Sequence, residues 1–196
     1  MNHTFKTIFI LLSIIINSNF VFGQDQSFSK NSIKTGIGFG ASMSKRIDGF
    51  GFVYSIGYQR DIWKDRLRFN PNYSIGHYSS RFTLDARDQY FNSINIEAKF
   101  YYDIIKIKSF SLVLGAGGLG HNSRGLLGTG GDHGENTAPT TSEFISEFNY
   151  GVYLGGGIRI HVPNKRTAIS VMPINFHVGN NYFTESYMKI ELDFIF

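Results

Sequence analysis

From residue 33 to residue 196, apolar and polar side chains alternate with a period of two. The 3.6-residue period of an amphipathic helix is almost absent. Residues 94–104 show this most clearly: Ile94, Ile96, Ala98, Phe100, Tyr102 and Ile104 share one face, with Asn95, Glu97, Lys99, Tyr101 and Asp103 on the other. The same alternation predicts strands over 33–43, 52–62, 67–78, 148–162 and 187–196. In the last of these Met188, Ile190, Leu192, Phe194 and Phe196 oppose Lys189, Glu191 and Asp193. Residues 110–119 form a short, apolar, glycine-rich segment, and 167–178 is ambiguous in phase around Pro173. Pro71 interrupts 67–78, and because proline cannot donate a ladder hydrogen bond, a bulge is expected there.

Eight strands is an even number, close to the fewest that close around an interior filled by side chains. Most segments run about ten residues, enough to cross a bilayer at a steep tilt. The connections are sorted by length. Residues 63–66, 106–109 and 163–166 are short links, whereas 79–93 and 121–147 are long and alternate with them along the chain. A soluble sandwich has no reason to place short turns at one end and long loops at the other; a transmembrane barrel does, with its turns periplasmic. Such a barrel turns its apolar faces to lipid and its charges into the lumen. Aromatic residues fall near the strand ends: Trp63, Tyr102, Phe110, Phe194 and Phe196 toward the short-turn rim, and Phe52, Tyr54, Phe91, Phe148, Tyr150 and Phe176 toward the other. Two interfacial girdles are expected from them.

Composition adds to this. Aromatics make up 16% and charged residues 17%, with 22 glycines and only 4 prolines, a mixture that favours all-β structure. The mean hydropathy of -0.12 fits strands that are apolar on one face only. No cysteine is present, which removes disulfides, thiolate metal sites, thiol nucleophiles and a lipid-attached N-terminus together. The net charge of +4 includes Lys6 and is too slight to argue for nucleic acid. Lys6, the apolar run 8–16 and the small Gly23 have the order of a secretory signal. Residues 1–23 are therefore expected to be a signal peptide and 24–196 the barrel domain.

The signal, the eight alternating strands and the ending KIELDFIF over 189–196 resemble the small outer-membrane β-barrel proteins of the OmpA/OmpX type. The resemblance is greatest to the PorT-like outer membrane protein beta-barrel domain group, and it covers 24–196. It implies an eight-stranded antiparallel up-and-down barrel in the bacterial outer membrane. It also implies that Ile190, Leu192, Phe194 and Phe196 form the C-terminal signal read by the barrel assembly machinery. The implied partners are outer-membrane lipids and lipopolysaccharide, with no cofactor and no metal.

Candidate chemistry is concentrated in the lumen. Lys34, Asp61, Arg68, Glu97, Lys99, Asp103, Arg159, Lys189, Glu191 and Asp193 are expected to point inward as a salt-bridge network that plugs a narrow barrel, since charges removed from water need partners. Closure should bring Lys34 near Glu191 or Asp193. Gly115, Gly117 and Gly120 formally match G-x-G-x-x-G, but no helical pattern follows, so they read as close strand approaches rather than a nucleotide site. Gly155, Gly156 and Gly157 read the same way. Asp132, His133 and Glu135 could hold a divalent ion, but read first as part of a solvated outer loop that also carries Arg124, Thr137, Thr140, Thr141 and Ser142. Lipid A deacylases, which share this barrel size, use a His followed two residues later by a Ser. After His177 the corresponding position is Gly179, and Glu185 and Ser186 follow, so the nucleophile is missing from its place. His77 with Ser79 is the remaining His–Ser pair. The expected role is structural or surface-interacting and non-enzymatic, with the outer loops as binding surface. The alternatives are a lipid A-modifying enzyme and a secreted lipocalin-like carrier.

Overall fold

The computed structural model describes residues 31–64, 66–79, 89–129, 141–163 and 166–196; the expected signal peptide lies outside them. Eight strands follow in chain order: β1 (Asn31–Met43), β2 (Asp48–Trp63), β3 (Leu67–Ser79), β4 (Gln89–Ile107), β5 (Phe110–Thr129), β6 (Thr141–His161), β7 (Thr167–Gly179) and β8 (Thr184–Ile195). Each pairs antiparallel with its neighbours, and β8 closes on β1 with Lys34 opposite Asp193. Closure leaves no sheet edge along the wall, so every strand in it finds backbone partners on both sides.

Side-chain direction follows the alternation. On β4 the odd positions from Phe91 to Asp103 are buried, while Ile94, Ile96, Phe100 and Tyr102 are exposed. The same holds on β8, where Lys189, Glu191 and Asp193 are inward and Met188, Ile190, Leu192 and Phe194 outward. The charged face is therefore the interior and the apolar face is the outer wall.

The strands on one side run past the expected lengths. β5 has 20 residues and β6 has 21, against 13 in β1 and 12 in β8. Much of the expected long loop 121–147 is strand, paired from His121↔Asn149 out to Thr129↔Thr141. Arg124 and Ser142 thus lie on strands, and Thr141 begins β6. Asp132, His133, Glu135, Thr137 and Thr140 lie outside the described residues. The third link shortens likewise, because β4 begins at Gln89. Polar and glycine-rich composition masked these extensions, since a strand that leaves the apolar band no longer needs an apolar face.

The bulge expected at Pro71 is absent. Pro71 pairs with Ala98, and register is continuous on both sides of it. Pro173 instead marks a true irregularity: register shifts between Met172 and Asn175 against β8, and beside Gly156 and Ile158 on β6. Pro173 and Ile174 are both exposed in succession, so the alternation changes phase there. That accounts for the ambiguity of this strand in the sequence. Register also shifts at Asp61/Trp63 and Asp103/Ile105, next to short turns. The β4–β5 turn is the tightest, with Ile107 paired to Phe110 and Lys108 at φ 51°.

Candidate functional site

The only dense cluster of ionisable groups among the described residues fills the lumen. Its members come from β1, β3, β4, β6, β7 and β8, whose inward positions meet on the barrel axis. Nearest the short turns, Arg68 lies 2.5 Å from Asp103, and Arg159 lies 2.7 Å from Asp193. Lys34 Nζ reaches Glu191 at 2.9 Å and Asp193 at 3.8 Å, and sits 4.5 Å above the Tyr101 ring. At mid-height Lys189 meets Glu191 at 2.6 Å, and Lys99 pairs with Glu97 while lying 4.4 Å over Tyr153. Asp61 is only half-buried, at the short-turn mouth, opposite Arg68 in register.

Higher in the lumen is a second group that sequence reasoning did not collect. His177 Nδ1 is 2.5 Å from Glu185 and its Nε2 is 2.8 Å from Glu97. Glu185 also accepts from Tyr78 and, at 3.0 Å, from Asn95. Asn95 in turn contacts His121 at 2.5 Å. Asn72 donates to Glu97 at 2.5 Å. Tyr153 donates to Asn175 at 3.0 Å and lies 3.4 Å from the Tyr101 hydroxyl. His177 and Glu185 stand in the sequence only in the comparison with lipid A deacylases; the inward phase of β7 and β8 at these positions is the signal that places them in the lumen.

Five basic side chains (Lys34, Arg68, Lys99, Arg159, Lys189) thus face five carboxylates (Glu97, Asp103, Glu185, Glu191, Asp193), all buried. Pairing is shared rather than one to one: Lys34 and Lys189 both meet Glu191, and Glu185 meets His177, which leaves no carboxylate of the five without a basic neighbour in low dielectric, where an unpaired charge would be costly.

Apolar and aromatic side chains close the lumen toward the loop end. Tyr78, Phe91, Val53, Leu127, Ile145, Tyr187 and Ile47 of the β1–β2 connection form one cluster. Phe183 of the β7–β8 connection turns inward and stacks on His121 at 4.0 Å. Phe91 therefore does not belong to the outer girdle. It is buried and stacked on Tyr78 at 5.0 Å, because it shares the inward phase of Glu97 and Lys99. The other ten girdle aromatics face outward. Above the lumen, Arg46 donates to Glu143 at 2.6 Å and Ser44 to Glu147 at 2.6 Å, tying the first connection to β6. The Glu143 hydrogen bond holds the Arg46 guanidinium above the usual arginine range.

Glycines keep the lumen passable for these side chains. Gly115 faces the interior, where an added Cβ would lie 2.7 Å from the Tyr101 ring and 3.0 Å from Tyr153. The G-x-G-x-x-G match sits in the middle of β5, with strand on both sides.

No hydrolytic set assembles from the pairs named in the sequence. His177 and Ser186 point to opposite faces, His177 into the lumen and Ser186 outward. His77 faces outward on β3, and its Nδ1 is 2.7 Å from Asn92 rather than from a carboxylate. Among the described residues no three His, Asp or Glu side chains form a metal-binding group.

By sequence the chain matches no family model and no curated protein. By structure it is similar to Neisserial surface protein A, with a TM-score of 0.58 and 17% identity over 87% of this chain and 100% of that one. It is also similar to Ail, the attachment invasion locus protein of Yersinia pestis: TM-score 0.51, 13% identity, 86% and 99% covered. Ail in complex with the heparin analogue sucrose octasulfate gives a TM-score of 0.52 at 11% identity. The fold is that of the small eight-stranded outer-membrane barrels.

Proposed function

We propose that this protein is an integral β-barrel of the bacterial outer membrane with a structural or surface-interaction role and no enzymatic one. One observation carries the reading: in a closed barrel, the inward face holds the charges and the outward face is a continuous apolar belt. Ile37, Phe52, Ile56, Ile96, Leu114, Leu154, Ile174 and Ile190 are all exposed around the wall. In water such a belt would far exceed the apolar patch a soluble monomer tolerates; in a bilayer it is the required surface. A lipocalin-like carrier needs the reverse arrangement, with an apolar interior. The fold shared with two proteins whose names speak of surface and attachment is consistent with presentation of the loop end outside the cell. A lipid A-modifying activity has no support in the lumen, where His177 is enclosed, nor at His77.

The short turns face the periplasm, and lipids and lipopolysaccharide contact the belt. Ile190, Leu192 and Phe194 project outward beside Phe196, a row the assembly machinery could read. Fractionation of expressing cells tests the reading. The protein should sit in the outer membrane and migrate differently on SDS gels before and after boiling. Recovery in the soluble fraction with no heat shift would refute it. Deleting Phe196 should slow assembly and lower the heat-shifted form without changing expression.

A further inference from the structure

Among the described residues the loop rim carries both signs, Lys45, Arg46 and Arg124 with Asp48, Glu143 and Glu147, whereas the short-turn rim is mainly basic. At the loop rim Arg46 is neutralised by Glu143. At the short-turn rim Arg60, Lys64, Arg66, Lys106, Lys108 and Arg166 gather from three different turns and the ends of β2 and β4. Asp61, the acid described beside them, is half-buried against the lumen. In sequence Asp65 and Lys165 add one charge of each sign. Arg60, Lys64, Lys108 and Arg166 are exposed and make no ion pair among the described residues.

Arg60 is the informative member. It occupies an outward position of β2, flanked on the same face by Tyr58 and Ile62, both exposed, and across the sheet by Phe69. Arg60 lies three residues before Trp63, the last residue of β2; an exposed Trp marks the interface, and the long arginine side chain reaches the headgroups from there by snorkelling. Lys64 stands beside Trp63, 5.3 Å over its ring, and Trp63 is an exposed interfacial aromatic. Cations at this depth meet phosphate oxygens before any protein surface, and a rim of one sign attracts lipids of the other.

We propose that the short-turn rim is a binding surface for acidic phospholipid headgroups of the leaflet it faces, with Arg60 and Lys64 as its central contacts. The proposal rests on the membrane-barrel reading above and adds a lipid preference to it. The guanidinium of Arg60 offers paired donors to one phosphate, while Lys64 and Lys108 supply point charges along the rim.

The chain's sole tryptophan, Trp63, is a reporter placed at the rim. Purified protein in mixed vesicles would be titrated with brominated phosphatidylglycerol or brominated phosphatidylcholine, and quenching of Trp63 followed. The phosphatidylglycerol should associate about fivefold more strongly at low salt, the effect of one basic residue near an anionic headgroup. The excess should vanish in 0.5 M salt, about the concentration that screens beyond one contact distance. It should also vanish in the variant Arg60→Gln/Lys64→Gln/Lys108→Gln, whose retained heat shift on gels shows that it still folds. Equal quenching by both lipids overturns the proposal. Loss of the excess on adding inorganic phosphate at constant ionic strength also overturns it, assigning the rim to free anions. Quenching by neither lipid would instead remove the membrane reading itself.

Discussion

At the residue scale, the lumen is where single substitutions should matter most. Asp193 is shared by Arg159 and Lys34. Asp193→Asn leaves two buried cations under-neutralised and should cost about 3–5 kcal/mol, read as a shift in urea unfolding of the barrel in lipid vesicles. A replacement that removes charge from both sides should cost less, because no orphan is left. Gly115→Val forces a side chain against the Tyr101 and Tyr153 rings and should destabilise by about 1–3 kcal/mol, seen in the same titration and as a loss of the heat-shifted band. Lys108 works in the other direction. Its φ of 51° is a left-handed conformation that a Cβ disfavours, so Lys108→Gly should stabilise by about 1 kcal/mol.

At the element scale, each strand is defined by its two faces rather than by its mean hydropathy. Ile96 is among the most exposed apolar side chains of β4. Placed in the lipid, Ile96→Lys should cost about 2–4 kcal/mol, whereas Ile96→Leu should be near neutral; vesicle unfolding distinguishes them. The extended ends of β5 and β6 obey a different rule. Beyond the belt they are held by pairing to each other, as at Gly128↔Ser142, and their composition is free to become polar. That is why alternation located β4 and β8 well but stopped β5 ten residues early. The bulge at Pro173 follows similar logic. A proline, which donates no ladder hydrogen bond, is met in two ways here: β7 steps its register at Pro173, whereas the outward-facing Pro71 is accommodated within an unbroken register.

At the scale of the whole molecule, closure turns inward faces from six strands into one charge-balanced interior, capped by Ile47 and Phe183. With side chains filling the axis, the barrel should show no large single-channel conductance in planar bilayers. Opening it would require parting buried ion pairs, so a conductance step of porin size would contradict the packed lumen. The basic short-turn rim is likewise a property of the assembled molecule, since its six described cations are scattered from residue 60 to residue 166 in the chain.

The sequence by itself determined the number of strands, their up-and-down order and, on the strands of clean alternation such as β4 and β8, which face meets lipid and which meets the lumen. Period-two alternation couples directly to side-chain direction, so these follow from local pattern alone. Even the meeting of Lys34 with β8 could be anticipated, because a closed barrel has to join its first and last strands. Only the tertiary structure decided the partners within the lumen. Glu185, His177, Glu97, Tyr78 and Asn95 come from strands far apart in the chain, and their contacts depend on register and tilt, which no local pattern encodes. It also decided where the strands end once they leave the membrane, whereas the inward phase that Phe91 shares with Glu97 and Lys99 was already in the alternation and was overridden by its aromatic type. Partner choice is set by what lies across the barrel, and a residue's own neighbours in sequence carry no record of that.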